Sequence, residues 1–111
     1  MQVLVLILSK YEKLDRLLFA LNDAGIRGAT IVNSTGMAQV LSKESDQLLG
    51  SIRSYFTPDR DDNRTVFMVL DEEKVEIARK VIYQVIGSLD KPGAGILFVA
   101  PVLFVEGIGN T

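Results

Sequence analysis

Residues 3–8 have the sequence Val-Leu-Val-Leu-Ile-Leu, an unbroken apolar run that contains β-branched residues. Such a run is typical of a strand buried on both faces, or of a strand at the centre of an oligomer core. Ser9 is a candidate cap for the helix that follows, and Gly25 is placed as a left-handed C-terminal cap. One helix face carries four leucines: Leu14, Leu17, Leu18 and Leu21. The pattern therefore predicts a strand at residues 3–8 and then a helix over residues 11–24.

The same strand and helix order returns later in the chain. A second strand is predicted over residues 30–35, ended by Gly36, and a third over residues 65–70. Asp71 is a good N-cap for a second helix, which Gly87 ends. The buried stripe of that helix is predicted to be Val75, Ala78, Val81, Ile82 and Val85.

The last strand is predicted over residues 96–105 and contains Pro101. Because proline cannot donate to a sheet ladder, this strand should bend, break or lie at an edge there. The element order is βαβ, long loop, βαβ. It predicts an α+β ferredoxin-like βαββαβ sandwich, a four-stranded antiparallel sheet with two helices on one face. The strands are apolar on both faces, so the open face is expected to be covered by self-association.

Residues 37–62 have no sustained hydrophobic period, and loops of such length are usually functional or disordered. The sequence predicts a single domain over residues 1–111 with a long flexible segment at 37–62. This segment is interpreted as a partner-binding arm, with Tyr55 and Phe56 as candidate anchors in a short amphipathic turn. A surface insertion without a role is the alternative.

Composition limits the chemistry that the chain can perform. It has 111 residues, 48% hydrophobic, a net charge of −2, and neither cysteine nor histidine. Disulfides, thiolate metal sites and Ser-His-Asp or Cys-His catalysis are therefore excluded, and no catalytic or metal site is predicted. Asp59, Asp61 and Asp62 lack the full spacing of a calcium loop. We expect a cytoplasmic protein that is not an enzyme, does not insert into a membrane and does not bind nucleic acid.

Three stretches of the sequence also resemble a known family. They are residues 9–16, Ser-Lys-Tyr-Glu-Lys-Leu-Asp-Arg; residues 25–31, Gly-Ile-Arg-Gly-Ala-Thr-Ile, with Gly36 beyond them; and residues 91–99, Lys-Pro-Gly-Ala-Gly-Ile-Leu-Phe-Val. In this order and spacing they resemble the PII family of nitrogen-regulatory signalling proteins. Gly36 takes the place of the glycine that opens that family's T-loop. Residues 91–99 take the place of its phosphate-binding B-loop and last strand.

The resemblance implies a homotrimer that binds an adenine nucleotide (ATP, ADP or AMP) in clefts between subunits. Through the T-loop-like segment 37–62, it would regulate a membrane transporter or a metabolic enzyme. The residues that it implies for the ligand site are Thr30, Gly36, Lys91, Gly93 and Gly95. The glycines suit this role because they let backbone N–H groups approach phosphate oxygens.

The chain departs from the family where the family grips phosphate. Ile96 stands for the second B-loop lysine, Gly107 and Gly109 for two arginines, and Gln39-Val40 for an Arg-Gln pair. With few cations a triphosphate is poorly compensated, which predicts weak nucleotide binding, a less charged adenylyl ligand, or none. Two alternatives stay open: a trimeric interaction protein without a nucleotide, and a CutA-like metal-associated trimer. The absence of cysteine and histidine argues against soft metals in the second.

Overall fold

The structure is a computed structural model that describes residues 1–9, 11–44 and 63–108, without the side chains of 42–44. Four strands and three helices alternate along this part of the chain. They are β1 (Gln2–Leu8), α1 (Leu14–Asp23), β2 (Thr30–Ser34), α2 (Met37–Glu44), β3 (Asn63–Leu70), α3 (Glu72–Ile86) and β4 (Gly95–Pro101).

The four strands form one sheet in the order β2-β3-β1-β4, and each neighbouring pair is antiparallel. The apolar run of β1 therefore lies in the sheet interior, hydrogen-bonded on both sides. In the register, Val5 lies opposite Phe67 of β3 and Phe98 of β4, and Phe67 lies opposite Thr30 of β2. The predicted ferredoxin-like α+β fold is confirmed.

The core lies between the sheet and helices α1 and α3. Alternate residues of β1 and β3 point into it, because successive side chains of a strand face opposite ways. Both helices contribute the stripes that their leucine and valine spacing predicts. The buried core residues are Leu4, Leu6, Leu8, Leu14, Leu17, Leu21, Ile26, Val66, Met68, Leu70, Val75, Ala78 and Ile82.

Helix α1 is shorter than its sequence predicts. It begins at Leu14 rather than Tyr11, its N-cap is Lys13 without a side-chain hydrogen bond, and Ser9 does not cap it. Residues 11–13 form a turn instead, in which the Leu14 N–H donates to the Tyr11 carbonyl over 3.0 Å. The C-terminal end agrees with the prediction, since Gly25 adopts a φ of 93°.

Helix α3 has at both ends the capping residues that its sequence predicts. The side chain of Asp71 accepts a hydrogen bond from the Lys74 N–H over 2.9 Å, which satisfies one of the free donors of the first turn. At the other end Gly87 has a φ of 93°, a conformation that favours glycine.

The segment expected to be a loop from residue 37 begins with a helix. Residues Met37–Glu44 form α2, whose eight residues are too few to show a sustained hydrophobic period. The amphipathic turn predicted around Tyr55 and Phe56 lies outside the described residues.

Pro101 ends β4, which is an edge strand, so the prediction of an edge or a break at this proline is confirmed. The chain beyond it keeps one ladder-like contact, from the Val102 N–H to the Met1 carbonyl over 3.1 Å. Leu103 and Phe104 follow and are strongly exposed.

The face of the sheet opposite the helices carries large apolar side chains in contact with solvent. Exposed examples are Val32, Phe67, Ile96 and Phe98, one or two from each of three strands. An apolar surface of this kind commonly marks an interaction site.

Candidate ligand site

A cluster of small and polar residues joins the end of β2 to the start of β3, and we call it the loop-base cluster. Its members are Ser34, Gly36, Gln39, Asn63 and Thr65. The hydroxyl oxygens of Ser34 and Thr65 lie 2.6 Å apart, a hydrogen bond in which either can donate. Because Ser34 lies opposite Asn63 in the ladder, this bond runs diagonally across the pair, on the open face. The two chain ends that bracket residues 37–62 are therefore held together by side chains as well as by the sheet.

Asn63 is the unusual member of the loop-base cluster. The residue is only 9% exposed, and its side-chain oxygen Oδ1 is buried without a hydrogen-bond partner in the part of the chain described. A buried acceptor that makes no hydrogen bond costs about 1–3 kcal/mol of stability. An acceptor left in this state at a sheet end is suited to receive a hydrogen bond from a bound molecule.

Gly36 packs closely against Asn63 and directly precedes α2. Its backbone N–H donates to the Gln39 side-chain oxygen Oε1 over 2.7 Å, as one arm of a capping box does. A Cβ at position 36 would lie 3.3 Å from Asn63 Nδ2 and 3.4 Å from that Gln39 oxygen. A side chain there would press on both neighbours, so the glycine keeps the cluster compact.

The second part of the candidate site is the turn at residues 91–95, which we call the β4 turn. The Ala94 N–H donates to the Lys91 carbonyl over 3.1 Å, and Gly93 has a φ of 74°. Pro92 at the second position and glycine at the third are the residues that a type II turn requires. Gly93 is thus explained by the turn itself, and the exposed Lys91 is the turn's cation.

Gly95 has a separate structural reason to be glycine. Its φ is 142°, and a Cβ built on it would collide with the backbone carbonyl oxygen of Ile7. The close approach of β4 to β1 at this point therefore excludes every other residue.

The five predicted site residues fall into two groups in one chain. Thr30 and Gly36 belong to the β2 edge of the sheet, and the other three belong to the β4 turn at the opposite edge. Gly36 and Gly95 lie at the same end of the sheet, since Gly95 pairs with Leu8 and β2 ends opposite Asn63. Three strand spacings of about 4.8 Å, or about 14 Å, separate the two edges.

Comparison with known families identifies the chain. The family model described as nitrogen regulatory protein P-II matches residues 1–110. The chain belongs to the P-II family. No curated protein matches it closely enough to be informative. The resemblance predicted from residues 9–16, 25–31 and 91–99 is thereby confirmed, and the chain is a P-II-like regulatory signalling protein.

One departure from the P-II pattern is visible in the structure. Ile96, in place of a lysine, is 59% exposed on the open face. Arg64 lies beside the loop-base cluster, where its guanidinium donates to the Asn63 carbonyl over 3.4 Å and its guanidinium carbon is 3.9 Å from the centroid of the Tyr11 ring.

The described residues contain neither a candidate metal site nor a membrane-spanning helix. Among them, no three acidic side chains lie close enough together to hold a metal ion. None of the helices in this part of the chain has the length and apolar character needed to cross a membrane.

The sequence did not indicate Ser34, Asn63 or Thr65 as site residues. The strand predicted from the sequence starts at residue 65 rather than at Asn63, because Asn63 and Arg64 are polar and hide the start of β3. The alternation of residues 63, 65, 67 and 69 on one face is the signal that could have extended the strand.

Proposed function

We propose that this P-II protein is a regulatory trimer, not an enzyme, that binds its ligand where the β4 turn of one chain meets the loop-base cluster of the next. The observation that carries the proposal is the division of the predicted site residues between opposite edges of the sheet. A contact between the β4 edge of one chain and the β2 edge of another brings both groups together. The apolar open face gives such an assembly a reason to form.

The chemistry of the two groups favours an adenylyl ligand with few negative charges. Lys91 offers one exposed cation, and Asn63 Oδ1 offers an acceptor that needs a donor, such as an amine or a hydroxyl. Neither feature compensates the charge of a triphosphate. We therefore expect AMP or a cyclic dinucleotide to bind more tightly than ATP.

The output of the site is proposed to be the conformation of segment 37–62. Its two ends are bracketed by the loop-base cluster, so a ligand held by Asn63 touches the point from which the segment departs. By favouring one arrangement of the segment, the ligand would change the affinity of the segment for a membrane transporter or a metabolic enzyme. A role in nitrogen regulation and a cytoplasmic location follow from the family and stay predictions.

Calorimetric titration with ATP, ADP, AMP and cyclic dinucleotides tests the ligand proposal. Asn63→Leu and Lys91→Ala are each expected to weaken binding by roughly tenfold, the effect of one lost hydrogen bond to a charged or buried group. Asn33→Leu and Lys80→Ala are matched controls, because both residues are exposed and lie outside the two groups. Absence of binding by every nucleotide in the wild-type protein would remove the adenylyl ligand from the proposal.

The exposed Ile96 favours a second candidate, a trimeric interaction protein that has no nucleotide. In this case the open face and segment 37–62 would bind a protein partner independently of any effector. Partner capture by the purified protein that is unchanged by added nucleotides would support this candidate over the first.

A further inference from the structure

The chain beyond β4 exposes apolar side chains that the described residues of their own subunit do not cover. Leu103 is 99% exposed and Phe104 is 74% exposed. Both follow directly on Val102, whose N–H is fixed to the Met1 carbonyl. The segment therefore leaves the sheet from a defined point, yet two of its largest side chains are left in solvent.

A small cavity lies at the other edge of the sheet, between α1 and β2. Its volume is about 210 Å³, and its lining includes Leu18, Ile26, Ile31 and Met68, with Arg27 at the same site. Ile31 is 42% exposed there, so the cavity opens toward solvent. It combines an apolar lining with one cation.

The exposed tail and this cavity lie in the same half of the sheet but at opposite edges. β4 ends opposite Gln2, and the cavity residue Met68 lies opposite Leu4, two residues further along β1. The separation of about 14 Å across the strands keeps the two apart in one chain. In a ring of copies joined β4 edge to β2 edge, with its axis along the strands, rotation preserves the position of each residue along the axis. A tail that turns back by about 7 Å, or two residues of strand rise, then reaches the cavity of the next copy.

A second, larger cavity of about 580 Å³ does not meet this condition. It is lined by α3 residues, by Ser88 and Asp90, and by Leu97. Its strand residue Leu97 lies opposite Leu6, in the half of the sheet away from Pro101. A tail that starts at Val102 would have to run back along β4 from Pro101 to Leu97 to reach it.

We infer that Phe104 of each copy occupies the α1–β2 cavity of the next copy, and that Glu106 pairs with the neighbour's Arg27. Charge complementarity supports this occupant, since Glu106 follows Phe104 by two residues and Arg27 lines the cavity. Both charged side chains are exposed in the single chain. The inference rests on the proposed trimer and specifies which surfaces form its contact.

Engineered cysteines provide a direct test, because the natural chain has no cysteine. A variant with Ala29→Cys and Leu103→Cys should form disulfides between chains on oxidation, giving covalent dimers and trimers on a non-reducing gel. The control carries Ala38→Cys with Leu103→Cys, since Ala38 is exposed beyond the β2 edge but at the opposite end of the sheet. Equal crosslinking of the control, or crosslinking of neither, would overturn the inference.

Association measured by light scattering over a dilution series gives the second test. Phe104→Ala should raise the dissociation constant by roughly ten- to a hundredfold, as the loss of a buried aromatic anchor does. Phe19→Ala is the matched control, because Phe19 is 72% exposed on α1 and is not part of the cavity lining. Arg27→Glu or Glu106→Arg alone should weaken association by roughly threefold or more, and the double reversal should recover it.

The outcomes separate this inference from the proposal on which it rests. A trimeric wild type in which neither Phe104→Ala nor the charge reversals change association leaves the trimer standing and overturns the contact. A wild type that stays monomeric at micromolar concentration overturns both. Circular dichroism spectra of the variants, unchanged from wild type, would show that the subunit itself has kept its fold.

Discussion

Replacing Asn63 by leucine should stabilise the subunit while it weakens ligand binding. The buried Oδ1 makes no hydrogen bond among the described residues, and such an acceptor costs about 1–3 kcal/mol. Leucine has nearly the same shape, and the site is already 91% shielded from solvent, so an apolar side chain fits its surroundings better. We expect the free energy of unfolding to rise by about 1–2 kcal/mol.

Urea denaturation of the variant and the wild type at one protein concentration measures this difference. The concentration must be fixed, because subunit association adds to apparent stability. Asn33→Leu on the neighbouring strand is the control and should change stability by less than about 0.5 kcal/mol, as an exposed substitution does. A destabilised Asn63→Leu protein would show that the amide is satisfied in solution, and the reasoning from its unpaired oxygen would then fail.

Three further predictions test the packing of the subunit. Gly95→Ala should cost more than about 2 kcal/mol or prevent folding, because its Cβ meets the carbonyl of Ile7, whereas Gly93→Ala, with open space around it, should cost about 1 kcal/mol. Thermal unfolding of the pair in parallel checks the contrast, and equal effects would contradict it. Asp71→Ala should lose about 1 kcal/mol with the N-cap hydrogen bond, while Asp71→Asn retains most of it. Leu17→Ala, at a fully buried position, should lose about 2–5 kcal/mol in urea denaturation; a loss below 1 kcal/mol would argue against the packing described.

The parts of the fold that the sequence predicts well are those with a strong local signal. The leucine spacing of α1 and the Asp71 cap of α3 each act within one or two helical turns, so the sequence contains all that is needed to recognise them. The effect of Pro101 can also be predicted from the sequence alone, because a proline has no N–H to donate to a sheet ladder wherever it lies.

The parts that the sequence predicts poorly depend on neighbours far along the chain. The start of β3 at Asn63 is stabilised by pairing with Ser34, 29 residues earlier, and nothing in the local sequence indicates this partner. Helix α2 is too short for its periodicity to be recognised. The early residues of the predicted α1 form a turn because the expected Ser9 cap is not made.

In the candidate site, too, some features can be predicted from the sequence and others cannot. Gly36, Gly93 and Gly95 are visible in the sequence as glycines, but their reasons are not: a close neighbour, a type II turn and a collision with a backbone carbonyl. The unpaired oxygen of Asn63 is invisible, since burial at a strand end depends on the tertiary structure that surrounds it. The resemblance therefore predicts candidate site residues but not Asn63, the residue that most distinguishes the candidate site.

β2 forms one edge of the described sheet, and this edge can cause aggregation of the newly synthesised chain. This strand carries Thr-Ile-Val-Asn-Ser with no lysine or proline, the residues that usually protect an edge from pairing with foreign strands. A subunit that folds before it associates with other copies therefore exposes a short strand edge that can pair with foreign strands. Because pairing with a foreign strand requires two chains to meet, refolding at a high protein concentration should give more aggregate per molecule than refolding at a low one.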